Sequence, residues 1–172
     1  MLEIRAETEE DRQAIFEVNE LAFGRENEAY LVDALRESDD FIPELSLVAV
    51  KEGKVVGHIL FSPIAIETEL GFVRVLSLAP MAVLPEFQRQ GIGTELVRQG
   101  LKECERFGHE VVVLIGHPEY YPRFGFSSAR AKGLEAPFEV PDEAFMVLEI
   151  KEGALEGVSG MIKYPPTFDA AL

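Results

Sequence analysis

The chain has 172 residues, enough for a domain with a substantial core, and its 31 Asp and Glu against 16 Lys and Arg leave a formal charge of −15. A field of that sign repels nucleic-acid phosphates and anionic lipid, which disfavours nucleic-acid binding; it suits a cationic acceptor, or simply a surface charged for solubility. The single cysteine excludes an internal disulfide framework and a thiolate metal cage, and the three histidines, His58, His109 and His117, lack metal-ligand spacing, so no metal site is expected.

Leu2 to Ala6 alternates apolar and polar residues like a half-buried strand, and Thr8, three residues ahead of Asp11, opens a helix with a capping-box pattern. That helix carries Ile15, Val18 and Ala22 on one face and stops at Gly24; a second runs from Glu26 to about Arg36 with Leu31 and Leu35 inward. Leu45 to Val50 and Val55 to Ile66 flank the turn signal Glu52-Gly53-Lys54 and predict a hairpin, and Val73 to Val83 is a fourth strand. Pro80 interrupts it, and the missing N–H favours a bulge or a parting of neighbouring strands; the alternative is a strand edge or end.

Next come a glycine-bearing turn, a helix to about Phe107 with Gly108 as its stop, and a buried strand from Val111 to Gly116. A tyrosine-bearing segment, a late strand from Ala144 to Ile150 and an irregular tail through Tyr164-Pro165-Pro166 complete the chain. This order predicts a mixed-sheet α/β fold. No linker or low-complexity stretch divides it, so residues 1–172 read as one domain. The start, Met1-Leu2-Glu3-Ile4-Arg5, lacks a basic stretch leading into an apolar run, and no segment approaches membrane-spanning length, so a cytoplasmic protein with no membrane partner is expected. Cys104 shares an apolar helix face with Ile92, Leu96, Val97 and Leu101 and reads as a core thiol.

The turn carries the most chemistry. Gln88-Arg89-Gln90-Gly91-Ile92-Gly93-Thr94 sits between strand and helix, where amides of a first helical turn and the positive end of the helix dipole suit an anion. A Walker loop would need a lysine before Thr94, and a dinucleotide fingerprint would need Gly or Ala where Leu96 stands. Gln88-x-x-Gly91-x-Gly93 instead resembles the acetyl-CoA pyrophosphate loop of the GNAT superfamily of N-acetyltransferases. Downstream, the strand Val111–Gly116 is followed by Tyr120-Tyr121-Pro122-Arg123-Phe124-Gly125-Phe126, similar to the end of the CoA-binding core in a branch of predicted N-acetyltransferases.

The resemblance, which covers about Val73 to Phe126, implies a GNAT-like fold: a mostly antiparallel mixed sheet splayed between its fourth and fifth strands and flanked by helices. It implies acetyl-CoA as acyl donor, with the diphosphate on Gln88, Arg89, Gln90, Gly91, Ile92, Gly93 and Thr94 and the pantetheine arm on Met81, Ala82 and Val83. It implies Tyr121 as the acid that protonates the departing thiolate, with Tyr120 the competing choice, and a primary amine attacking in a ternary complex. The expected acceptor is a small-molecule amine or an amine of a basic protein or peptide, and the protein a monomer or homodimer. Glu86, Glu119, His58 and His117 are all conceivable as the base and none stands out; Glu86 reads better as an exposed charge, and a histidine within a strand, as His58 is, is more often a satisfied packing residue. An acyl-CoA sensor without turnover and an acidic adaptor are the rival readings.

Overall fold

Short-range chemistry sets where the elements begin and end in the computed structural model, which describes residues 1–171. Strand β1 (Leu2–Ala6) passes through a 3-10 turn at Glu9–Asp11 into helix α1 (Arg12–Phe23). The Thr8 amide and hydroxyl both donate to the Asp11 carboxylate, at 2.7 and 3.1 Å, and Arg5 grips the same group at 2.7 and 3.1 Å. These bonds fix the approach to α1 and, led by the Arg5 bond, hold the Asp11 carboxyl below its usual range. Gly24 ends α1 at φ +69, its amide on the Glu20 carbonyl, and α2 follows over Asn27–Glu37.

The remaining elements are β2 (Ser46–Lys51), β3 (Lys54–Thr68), β4 (Gly71–Val83), α3 (Ile92–Arg106), β5 (Val111–Ile115), β6 (Ser127–Ser128), β7 (Leu134–Glu135), β8 (Phe145–Glu149) and β9 (Gly160–Lys163). They group into two compact units. The first comprises Met1–Ser62, Ala79–Glu103 and the segment from Pro166; the second comprises Pro63–Leu78 and Cys104–Pro165.

In the first unit β1 pairs antiparallel with β2, and β2 with the first half of β3, from Ser46↔Leu60 to Lys51↔Lys54 at the hairpin end. Ile15 of α1 and Leu31, Val32 and Leu35 of α2 bury themselves with Val48 and Leu60. Successive strand residues point to opposite faces, so Gly57 and Phe61 of β3 look the other way, toward α3. A methyl group at Gly57 would lie 3.0 Å from Leu96 and 3.3 Å from Ile92, and one at Gly100 would lie 2.4 Å from the Phe61 ring. Small residues therefore let helix and strand approach closely.

In the second unit β5 is the central strand, with Val111 to Leu114 buried, as a near-continuous apolar run predicts. It runs antiparallel to β8, which pairs with β6, and parallel to β4. The far end of β3 pairs with β9, and β9 pairs in parallel with β7. The ladders thus mix both senses, as expected. The β4–β5 register holds only Leu76↔Val112 and Ser77↔Val113, while β4 itself continues through Pro80 to Val83. Pro80 therefore lies within the strand and is not its end.

The tail departs from its irregular reading, with β9 and a 3-10 turn over Pro166–Ala171. In β9 only Ile162 is buried, and β6 and β7 have two residues each, so none of the three carries a periodic signal.

Candidate active site

In the first unit, β4 leads into a 3-10 turn at Pro85–Phe87 anchored by the Leu84 amide on the Val56 carbonyl at 2.9 Å. The chain then turns through Gln88, Arg89, Gln90 and Gly91 into α3. Arg89 holds φ +66 and Gly91 φ +84. No atom lies within 4 Å of where a Gly91 side chain would start, so the backbone angle demands glycine here and the space beside it is open. The first backbone bond of α3 runs from the Glu95 amide to the Gly91 carbonyl at 3.1 Å, so Ile92, Gly93 and Thr94 precede the helical ladder with their amides at the positive end of the dipole.

The Gln88 side chain turns back on its own strand: its Nε2 donates to the Val83 carbonyl at 3.0 Å and ties the loop to the end of β4. Gln90 is likewise held: its Nε2 donates to the Glu86 carbonyl at 3.5 Å, and Lys51 donates to its Oε1 at 3.3 Å. In β4, Met81 is half-buried, Ala82 and Val83 are buried, and the Val83 carbonyl already accepts the Gln88 bond.

In the second unit the Gly116 amide bonds the Ala144 carbonyl at 2.9 Å as the chain leaves β5, and a 3-10 turn over Tyr121–Phe124 follows. Pro122 occupies its first turn, where a missing N–H costs nothing, and Gly125 closes it at φ +101. Tyr121 is 8% exposed, its ring 5.0 Å from Tyr120 and 5.9 Å from Phe126. Burial, aided by the neighbouring Tyr120, pushes its phenol up to about 12. Among the described residues the enclosed side-chain polar atoms without a partner are Asn19 Oδ1 and Ser62 Oγ; the Tyr121 hydroxyl is not one of them. Arg123 lies over the Tyr120 ring at 4.4 Å and donates to the Tyr120 carbonyl at 2.8 Å, clamping that neighbour.

Of the four candidate bases, Glu86, Glu119 and His117 are exposed, whereas His58 is fully enclosed. Asn19 Nδ2 donates to the Ile15 carbonyl at 3.0 Å and faces His58 Nδ1 at 3.3 Å, so Nδ1 is the acceptor and Nε2 carries the proton toward Ser46 Oγ at 3.0 Å. The Ser46 hydroxyl donates onward to Glu7, whose carboxylate Arg36 grips at 2.8 and 3.0 Å. Desolvation, with the Arg36 charge adding to it, pushes the imidazole down to about 3. His58 thus serves this buried network, which no linear motif announces because its members sit on separate elements. Cys104 is buried, as predicted.

Among the described residues no group of three or more His, Cys, Asp or Glu could hold a metal ion, and no helix is long and apolar enough to cross a membrane.

The family model of the acetyltransferase (GNAT) domain matches residues 3–129. The chain is 43% identical over 134 residues to the uncharacterized N-acetyltransferase YjhQ of Escherichia coli, covering 77% of this chain and 74% of that one. It is 36% identical over 167 residues to YhbS, an uncharacterized N-acetyltransferase of the same organism, covering 96% and 98%. The crystal structure of E. coli YhbS in complex with CoA superposes with a TM-score of 0.90 at 32% identity, over 98% of this chain and 92% of that one. A GNAT family acetyltransferase from Brucella melitensis in complex with acetyl-CoA superposes with a TM-score of 0.81 at 33% identity, over 98% and 99%. The chain belongs to the GNAT acetyltransferase family.

Proposed function

We propose that this protein moves an acetyl group from acetyl-CoA to a primary amine by direct attack within a ternary complex. The observation that carries the reading is the loop from Gln88 to Thr94: left-handed Arg89 and Gly91 lead the chain into the start of α3, and the space where a Gly91 side chain would begin is open. Relatives solved with CoA and with acetyl-CoA support the same donor here.

In this reading Gln88, Arg89, Gln90, Gly91, Ile92, Gly93 and Thr94 form the diphosphate loop, with main-chain N–H groups as its principal donors. Met81, Ala82 and Val83 pair with the pantetheine arm, and the Met81 amide stabilises the tetrahedral oxyanion. The neutral amine attacks the thioester carbon; an N–C bond forms, the C–S bond breaks, and the amine's surplus proton leaves to solvent or a base. Tyr121 donates to the departing sulfur. A thiol ionises near ~8.5, below this buried phenol, so the phenol hydrogen-bonds the developing thiolate and completes the transfer as water resupplies its proton. Orientation of the two reactants supplies the larger share of the rate. The acceptor class is a small-molecule amine or an amine of a basic protein or peptide, consistent with the charge of −15.

The test is thiol release from acetyl-CoA across a panel of amines, beside calorimetry with CoA. Turnover of at least one amine is expected. CoA binding without turnover of any amine would make the protein a sensor, and no uptake of CoA or its thioesters by folded protein would overturn the reading entirely.

A further inference from the structure

Coenzyme A carries a second anionic group besides its diphosphate, the phosphomonoester on the 3′ carbon of its ribose. We infer that Lys51 and Lys54, on the β2–β3 hairpin, form the site for that group. The inference rests on the reading that the Gln88–Thr94 loop takes the diphosphate.

Three observations within the first unit converge on these lysines. They are direct partners across the antiparallel ladder, where like charges repel, and nothing about the hairpin requires two cations there. Both ammonium groups converge on one aromatic side chain of the loop, each 5.8 Å from the centre of the Phe87 ring. Lys51 also donates to Gln90 Oε1 at 3.3 Å, so it is physically joined to the residue that precedes Gly91.

The charge balance makes the pair harder to explain without a ligand. Acids outnumber bases 31 to 16 in this chain, yet among the described residues neither lysine forms an ion pair with a carboxylate. Glu52 lies in the turn between them and Glu86 immediately precedes Phe87; both are exposed and neither is a salt-bridge partner of either lysine. A doubly charged phosphomonoester offsets the repulsion between the two ammonium groups and accepts charge-assisted hydrogen bonds from both. Exposed Arg89, whose left-handed backbone starts the approach to Gly91, adds a third cation on the same loop.

The consequence is discrimination between coenzyme A and its precursor that lacks the 3′-phosphate. Calorimetry compares CoA with 3′-dephospho-CoA on the intact protein, on Lys51→Met/Lys54→Met and on Lys51→Arg/Lys54→Arg. The unmodified protein is expected to bind CoA at least about tenfold more tightly than 3′-dephospho-CoA. The methionine variant binds both ligands alike, and the arginine variant keeps most of the gap.

A methionine variant that retains the gap, or that loses affinity for both ligands equally, overturns the assignment. Equal affinity of the unmodified protein for the two ligands does so too while leaving the diphosphate loop intact. Binding of neither ligand removes the loop reading together with this one. Removing two opposed like charges should leave the urea midpoint unchanged or raised, and Lys54→Met alone, at an exposed position, provides a milder variant that halves the charge.

Discussion

Gly116 and Tyr121 compete for one volume: a side chain begun at Gly116 would stand 2.6 Å from Tyr121 Cε2 and 3.1 Å from Cδ2. The chain leaving β5 therefore sets the tilt of the phenol. Gly116→Ala is expected to lower turnover by displacing the ring, while calorimetry finds CoA affinity nearly intact. Equal losses in both would place Gly116 in folding instead.

Tyr121→Phe removes the hydroxyl and keeps the packing against Tyr120 and Phe126. Turnover should drop about hundredfold, the lower edge of what positioned proton donors contribute, with the CoA dissociation constant unchanged. An unaltered rate of thiol release would withdraw the acid role. Because burial raises this phenol from 10.0 to about 12, its ionisation should not limit the rate below about pH 10. The sign for stability follows: its contribution is fully present below pH 10 and declines as pH rises toward 12.

His58 has the opposite sign. Its imidazole falls from 6.5 to about 3 in the folded protein, so the unfolded chain binds a proton that the native state refuses. Stability should be whole above about pH 6.5 and fall progressively toward pH 3. Asp11, also depressed, acts in the same direction lower on the scale, from about 3.8 downward. Urea unfolding at several pH values should show the upper part of this decline, and His58→Gln should flatten that part while lowering stability at neutral pH.

Gly100→Ala is expected to destabilise by about 1–3 kcal/mol, because the added methyl would meet the Phe61 ring at 2.4 Å inside a packed helix–strand contact. A shifted urea midpoint measures it, and Phe61→Leu in the same chain should recover part of the loss if the clash is the cause.

Gln88→Ala deletes the bond to the Val83 carbonyl without touching the core. We expect CoA affinity to weaken by about fivefold, one ordinary hydrogen bond's worth of loop order, with the thermal midpoint little changed. Unchanged affinity would mean that the loop holds its shape without this tie.

What could be read in advance followed physical range. Gly24, Gly91 and Gly108 punctuate helices through backbone angles that favour glycine, and the apolar run before Gly116 is long enough to announce a buried strand, so these were visible residue by residue. The Gln88 tie was not, because a glutamine in a polar loop has no pattern that distinguishes a side chain turned back on its own strand from one in water. The chain from Asn19 through His58 and Ser46 to Glu7 and Arg36 was hidden for a different reason: its partners meet only once two helices have covered the sheet face. A strand histidine such as His58 reads as a satisfied packing residue from its position alone, but its partners Asn19 and Ser46 do not.

The seclusion of Cys104 has a practical side. A chromogenic disulfide reagent added to a reaction mixture would find one kind of accessible sulfhydryl, the one on the released coenzyme, since the protein's sole cysteine lies within its interior. The same reagent then doubles as a gauge of integrity: a slow stoichiometric signal appearing without substrate would report that the native state is opening.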